Sequence, residues 1–534
     1  MRLVRPHRPL PEDQRPPKLA LLADYPRHWA TVAPTREAAV CGERRWTFGE
    51  LATRVDQCAM ALLAAGVRPG DRVATLGPPN PDFYVTFLAT TSIGAIWLGL
   101  NPRYQHRELE YAVSDARPTV VFARTTIGER NYRNELAAIA GSDAISRIVL
   151  LDSADVGGVP KAIPSGPFLA AGADHAERLA TVRGEVDPTA TCLIVYTSGT
   201  TGSPKGAMIS QTSLIRVARV QAAIWPVDPL RVINNLPINH IGCVGDLTCD
   251  TLVPGGTVVF QEQFDPNEML ALVDRERITM FGHVPTALQL MTDSPRWATT
   301  DFSTVQLIIW EGAAAPVDLI AQLRSKCPAL ANAYGMSETV GSVSFTFDAD
   351  DLDTLANSVG WPVPEYGVRI ANDDQPAAQG EPGEVQVKGD FVTQGYWQRP
   401  EATRELFTPT GWLRTGDLAV QRSDGAFQLI GRLKEMFKSG GYNVYPREIE
   451  QVLEDHPDVA MAAVIGVPDS LYQEVGHAFV LIPSGKPVPA EELAAHCRTR
   501  LANYKIPKRF TVTAEFPMLP IGKVDKQALR ATIR

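Results

Sequence analysis

The sequence predicts an α/β protein of two unequal domains: a large N-terminal domain of helix-covered sheets and a small C-terminal α+β domain. Three observations predict it. The chain has 534 residues, more than a single hydrophobic core accommodates. Short apolar runs at 192–196, 257–260 and 305–310 alternate with helical periodicity such as that over 268–275, the pattern of parallel strands covered by helices. Near Gly431 the pattern changes, and strand-like runs at 459–467, 477–482 and 510–513 surround a helical stretch over 490–501. The boundary therefore falls at 432–434, giving domains 1–432 and 433–534.

Composition narrows the function. With 45% hydrophobic and 21% charged residues, the chain is neither disordered nor fibrous. Lys and Arg total 51 against 60 acids, a net charge of -9 with no long basic run, so no nucleic-acid partner is expected. Seven scattered cysteines, never in a CxxC pair, suit a reducing compartment and give neither a disulfide frame nor a zinc site. The basic, proline-rich N-terminus lacks the apolar segment of a secretory signal and reads as a solvated arm of a cytoplasmic protein. Residues 83–100 carry no charge, the length of a marginal membrane span. Thr86, Thr90, Thr91, Ser92, Gly94 and Gly99 dilute that run, which reads instead as a helix and strand buried inside the α/β domain. No transmembrane segment is expected.

The strongest local signal is Tyr196-Thr-Ser-Gly-Thr-Thr-Gly-Ser-Pro-Lys-Gly206, which follows an apolar strand and precedes a helical run. Small, hydroxylated and flexible residues let backbone N–H groups and hydroxyls approach phosphate oxygens, and Lys205 adds a cation. It is a phosphate loop, though not of the Walker A type, since Pro204 and Gly206 stand where that motif needs Gly and Ser or Thr.

With this loop in place, the chain resembles the superfamily of adenylate-forming enzymes, which holds acyl-CoA synthetases, luciferases and peptide-synthetase adenylation domains. Further segments agree in the family's order: Glu311-Gly-Ala-Ala-Ala-Pro316, Tyr334-Gly-Met-Ser-Glu-Thr339, Gly395-Tyr-Trp397, Thr415-Gly-Asp417, Gly431-Arg-Leu-Lys434, Gly440-Gly441 and Gly522-Lys523. The resemblance covers roughly residues 46–530. It adds a barrel-like subdomain to the large domain and implies that the small domain is a mobile lid.

It also implies roles. Thr197, Ser198, Gly199, Thr200, Thr201, Gly202 and Lys205 would hold ATP phosphates, with Glu338 and Thr200 as Mg2+ ligands. Tyr334 would stack on adenine beside Gly312, Ala313 and Ala314, and Gly335, Met336 and Ser337 of the same motif would also bind the nucleotide. Asp417 would accept the ribose hydroxyls and Arg432 would make a second ribose or phosphate contact. Lys523 resembles the lysine that bridges substrate carboxylate and α-phosphate, whereas Lys505, Lys508 and Lys526 read as solvated neighbours. His240 would line the acyl site, although a lone His beside apolar residues reads equally as a satisfied core group. Lys434 matches the hinge, and Gly440 with Gly441 the backbone lining a pantetheine path to coenzyme A.

The implied activity is that of an ATP-dependent acyl-CoA synthetase acting on a fatty or aromatic acid. Amino-acid activators carry an Asp just after the position of His240, and Ile241, Gly242 and Cys243 are uncharged. Coenzyme A is the implied acceptor, and a homodimer is compatible with the family. The alternatives are an acyl-AMP ligase loading a carrier protein, a luciferase-like oxygenase, or a catalytically silent acyl or nucleotide binder.

Overall fold

Alternating β-branched runs and amphipathic helices assemble as the periodicity requires. The computed structural model describes residues 10–197, 204–347, 351–482, 488–518 and 524–533. Among them the strands form four larger sheets and a two-stranded ribbon.

A seven-stranded sheet runs in the order Lys205–Ser210, Thr191–Thr197, Ile96–Leu100, Arg72–Leu76, Val120–Ala123, Arg147–Leu150 and Ala162–Pro164. It is parallel except for the hairpin that joins its first two strands. The phosphate loop thus leads into a strand, and the helix starts only at Gln211. This corrects the expected helical run: the segment after the loop pairs as an edge strand.

The second sheet has nine strands and a parallel centre. Its neighbouring strands Leu307–Glu311 and Leu330–Met336 are followed by the antiparallel strand Gly341–Phe345. Helix Pro81–Ser92 starts from an Asn80 cap with Pro81 in its first turn, the favoured N-terminal chemistry. It lies between the sheets, where the Phe83 ring packs on Trp97 at 6.0 Å and on Phe260 at 5.8 Å. Helix and following strand Ile96–Leu100 are almost wholly buried, which explains an uncharged run without a membrane. No helix among the described residues is long and apolar enough to cross one.

The barrel-like part is an antiparallel five-stranded sheet whose last two strands are Leu413–Gln421 and Phe427–Arg432. A final sheet begins at Phe437–Ser439, pairs Met461–Asp469 with Gln473–Leu481, and is covered by helices Pro446–Glu454 and Ala490–Arg498. The N-terminal segment, exposed at 11–14, is nevertheless tied to the domain where it is described. Arg15 pairs with Glu365, Arg219 bonds Glu12 at 2.7 Å, and Leu10 N–H donates to the Ala223 carbonyl at 3.0 Å. Its prolines leave backbone carbonyls free to accept, and Pro16 and Pro17 receive Arg219 and Tyr25.

Candidate active site

Strand register brings the motifs together. Glu311 lies opposite Ala333, so Gly312, Ala313 and Ala314, which leave the end of the first strand, emerge beside Tyr334, Gly335 and Met336. These are the carboxyl ends of parallel strands, where α/β sheets bind ligands. Gly335 is required here, because a Cβ would run into the Gly341 carbonyl of the next strand. The Tyr334 hydroxyl donates to Asp417 Oδ2 at 2.8 Å, and Arg432 Nε stands 3.0 Å from Asp417 Oδ1. Asp417 and Arg432 face each other in register across their hairpin. Asp417 is only 6% exposed, yet each carboxylate oxygen keeps a lone pair for a further donor. Burial raises the Tyr334 phenol pKa, and the Asp417 charge raises it further.

Ser337 and Glu338 occupy the one-turn helix Ser337–Thr339 that ends the same strand. Glu338 is 4% exposed, and burial pushes its carboxyl up, partly countered by a hydrogen bond from the Tyr396 hydroxyl at 2.7 Å. Lys205 Nζ stands over the same ring, 5.2 Å from its centroid, a cation–π contact. Main-chain bonds hold the assembly: Trp397 N–H to the Gly206 carbonyl at 2.8 Å and Met208 N–H to the Gly395 carbonyl at 2.9 Å. Asp417 and Arg432 both act on the Glu338 carboxyl, so the two groups form one cluster.

The root of the phosphate loop is fixed by Thr197 pairing with Lys205. Ser198, Gly199, Thr200, Thr201 and Gly202 lie outside the described residues. The Tyr111 hydroxyl holds the Pro204 carbonyl at 2.8 Å, and Asp115 accepts from Tyr196 at 2.7 Å and from Arg399 at 2.6 Å. Sequence reasoning missed these supports and Tyr396; only Tyr396 carried a signal, its place in Gly395-Tyr-Trp397.

His240 sits on a loop pressed against the first sheet, where a Cβ at Gly99 would collide with the Ile238 carbonyl. Its Nδ1 accepts the Gly242 N–H at 3.0 Å, which leaves Nε2–H as the donor of the neutral ring. Three residues with no forecast role gather nearby: Asp246, Asp250 and Glu311. Burial pushes Asp246 and Asp250 well above the usual carboxylate range and Glu311 up to about 7. Asp246 and Asp250, four apart in an otherwise apolar run, were the available signal.

Raised carboxyls bind protons more tightly in the folded chain than in the unfolded one. For Glu311 the contribution to stability is complete below its unfolded value near 4.5 and is lost as pH rises through about 7. Thermal unfolding should therefore show a Tm that declines across that window. Glu311→Gln is expected to flatten the decline, with Asp246 and Asp250 accounting for what remains. An unchanged slope in that variant would show that Glu311 titrates normally.

In the C-terminal part, Gly440 and Gly441 have φ of 57° and 87° and close the two-residue turn between Phe437–Ser439 and Tyr442–Val444. Positive φ at both positions is the demand of this hairpin type. Lys434 lies, exposed, between Arg432 and Phe437. Lys523 lies outside the described residues. Two of the lysines expected to be solvated are paired: Lys526 Nζ lies 2.6 Å from Glu435 and 2.7 Å from Glu450, and Lys505 Nζ bonds Glu448 at 2.5 Å. Acids of helix Pro446–Glu454 and the segment before it supply these partners.

Among the described residues no group of three or more His, Cys, Asp or Glu is placed to hold a metal ion. Glu338 offers one hard oxygen donor, which suits Mg2+, an ion that takes one or two carboxylates and fills its shell with phosphate and water.

Residues 26–397 match the AMP-binding enzyme family and residues 448–523 the AMP-binding enzyme C-terminal domain. The chain is 36% identical over 513 residues to a feruloyl-CoA synthase of Amycolatopsis, covering 95% of this chain and 98% of the relative. It is 32% identical to an indoleacetate–CoA ligase of Aromatoleum aromaticum, over 96% of this chain and 98% of that one. Among solved structures, ATP-bound MatB from Rhodopseudomonas palustris superimposes with a TM-score of 0.81 at 28% identity, covering 96% and 99% of the two chains.

Proposed function

Because this chain belongs to the AMP-binding enzyme family and is an ATP-dependent acyl-CoA synthetase, we propose that the cluster of Lys205, Tyr396, Glu338, Tyr334, Asp417 and Arg432 is its adenylation site. One observation carries this reading: a cation and a carboxyl beside Tyr396 adjoin a group in which Tyr334, near the carboxyl end of its parallel strand, meets Asp417 and Arg432 of the antiparallel hairpin. The first half suits phosphates and the second a nucleoside.

In the first half-reaction a substrate carboxylate oxygen attacks the α-phosphorus of ATP and pyrophosphate leaves. Charge gathers on the phosphate oxygens, where fixed donors and cations help most. Lys205 and the backbone of the loop around Thr197–Gly202 bind the phosphates, and Lys523 bridges carboxylate and α-phosphate. Tyr334 stacks on adenine against Gly312, Ala313 and Ala314, with Gly335, Met336 and Ser337 behind it. Asp417 accepts the ribose hydroxyls, and Arg432 holds its carboxylate in place. Glu338, with Thr200, would hold Mg2+, which when bound neutralises phosphate charge. In the second half-reaction the coenzyme A sulfur attacks the acyl carbon and AMP leaves, its path lined by Gly440 and Gly441.

The hinge is assigned to Lys434, with domains 1–432 and 433–534. Support comes from the sheets, one ending at Arg432 and the next starting at Phe437. Seven free cysteines support a cytoplasmic setting. The acid is fatty or aromatic; the relatives named for ferulate and indoleacetate support this, as do the uncharged Ile241, Gly242 and Cys243.

Pyrophosphate release from ATP with a panel of fatty, aryl and alicyclic acids, followed by thioester formation with free coenzyme A, tests the reading. Nucleotide binding without release would favour a silent binder, and thioester formation only on a carrier protein would favour the acyl-AMP ligase. His240→Ala is expected to reorder the acids while leaving the KM for ATP nearly unchanged. Lower thermal stability with an unchanged ranking would mark His240 as a core residue.

A further inference from the structure

A pocket for a purely alkyl or aryl tail has no use for buried carboxyls, yet three gather beside the loop of His240. We propose that Asp246 and Glu311 wall the far end of the acyl pocket, and that the acid carries a hydroxyl or keto oxygen, remote from its carboxylate, which hydrogen-bonds there. The inference deepens the proposed function and rests on its placement of the acyl site.

Position carries the first step. Glu311 ends its strand immediately before Gly312. Asp246 lies in the π-helix Gly242–Cys249, which opens two residues after His240; such segments are rare and favour functional sites. Both carboxyls converge on the strand that follows Glu338. The Ser342 hydroxyl donates to Glu311 Oε1 at 3.1 Å, and a Cβ at Gly341 would stand 2.7 Å from Asp246 Oδ1. The pair thus sits between the loop of His240 and the turn of Glu338, where an acid held for adenylation would extend.

Exposure and hydrogen bonding carry the second. Asp246 and Glu311, the one in the π-helix and the other at the carboxyl end of its strand, are half-buried and not sealed in the core. Asp250, four residues on and 5% exposed, has an Oδ2 with no partner among the described residues, as does Asp246 Oδ1. It belongs to the same group, for after burial Asp246 and Glu311 are the neighbours that raise its carboxyl. Buried polar atoms are nearly always paired, so these oxygens call for a ligand group.

The class of group follows from charge. No ion pair to Asp246, Asp250 or Glu311 is formed by the described residues, and no metal site includes them. Burial favours their neutral forms, and a neutral carboxyl both donates and accepts. That matches a hydroxyl or a ketone better than an ammonium, which needs an ionised partner. An unsubstituted tail would desolvate the carboxyls without pairing them, the situation in which polar pockets discriminate most.

The test is ATP–pyrophosphate exchange with matched acids on common aromatic and alicyclic skeletons: hydroxy, oxo, amino and unsubstituted, with the substituent at several remote positions. The oxygenated member is expected to exceed its unsubstituted partner by about tenfold or more in kcat/KM at one position. Glu311→Gln and Asp246→Asn should shrink that ratio more than they change kcat for the unsubstituted acid. Equal use of the pairs by the unaltered enzyme, or preference for the unsubstituted or amino member, would overturn the inference whether or not the variants fold. A ratio unchanged in both folded variants would also overturn it. Exchange with none of the acids would bring down the adenylation reading, and this inference with it.

Discussion

Glu338→Ala is expected to lower pyrophosphate release about a hundredfold or more, the scale of removing one preorganised electrostatic element. Glu338 is buried, and its carboxyl is held by Tyr396, over whose ring Lys205 stands. Removing it takes away the hard oxygen donor suited to Mg2+ and leaves the Tyr396 hydroxyl without its acceptor. Glu338→Gln keeps the volume and loses the charge, so a similar loss there assigns the effect to charge and not to a cavity. Tyr396→Phe gives an independent sign. Without the phenolic donor, the largest of the contributions that oppose burial is gone and the Glu338 pKa rises further. If the ionised form is the active one, the acid limb of the rate profile should move to higher pH. Near-normal release in both Glu338 variants would remove this residue from the site.

The parts of this site written in contiguous motifs were legible in the sequence. Tyr334 and Glu338 lie on one strand and its terminal turn, and Asp417 and Arg432 on one hairpin, so local pattern places each pair. Contacts between distant segments were less legible. Tyr396 bonds Glu338 across 58 positions and Asp115 pairs with Arg399 across 284; Tyr396 and Glu338 each sit in a motif that does not name the other, and Asp115 and Arg399 sit in none. The trio of Asp246, Asp250 and Glu311 shows a further limit. Asp246 and Asp250 interrupt an apolar run, and a charge there reads as a helix's solvent face until packing turns it inward. The N-terminal arm shows the opposite limit, since its exposed residues were legible but its tie to the distant Glu365 was not.

The two half-reactions should fail separately. Lys526, three residues after Lys523, is fastened by its ammonium between Glu435 and Glu450. Glu435 directly follows Lys434. Lys526 is therefore tied to the residues that follow Lys434, the proposed hinge. Leu433, on the other side, donates its N–H to the Gly416 carbonyl at 2.8 Å, which ties it to the strand of Asp417. Rotation about Lys434 would thus carry Lys523 away from the α-phosphate while Asp417 stays in place, opening the thiol path. Lys523→Ala is expected to cripple acyl-AMP formation yet still convert supplied acyl-AMP and coenzyme A to thioester. Lys434→Pro fixes one backbone dihedral at the pivot and should slow thioester formation while adenylation survives. Single-turnover assays of each step, on variants shown to be folded by thermal unfolding, read this directly. Equal loss of both steps in both variants would mean that the small domain does not turn between them, leaving Lys523 and Lys434 with structural roles only.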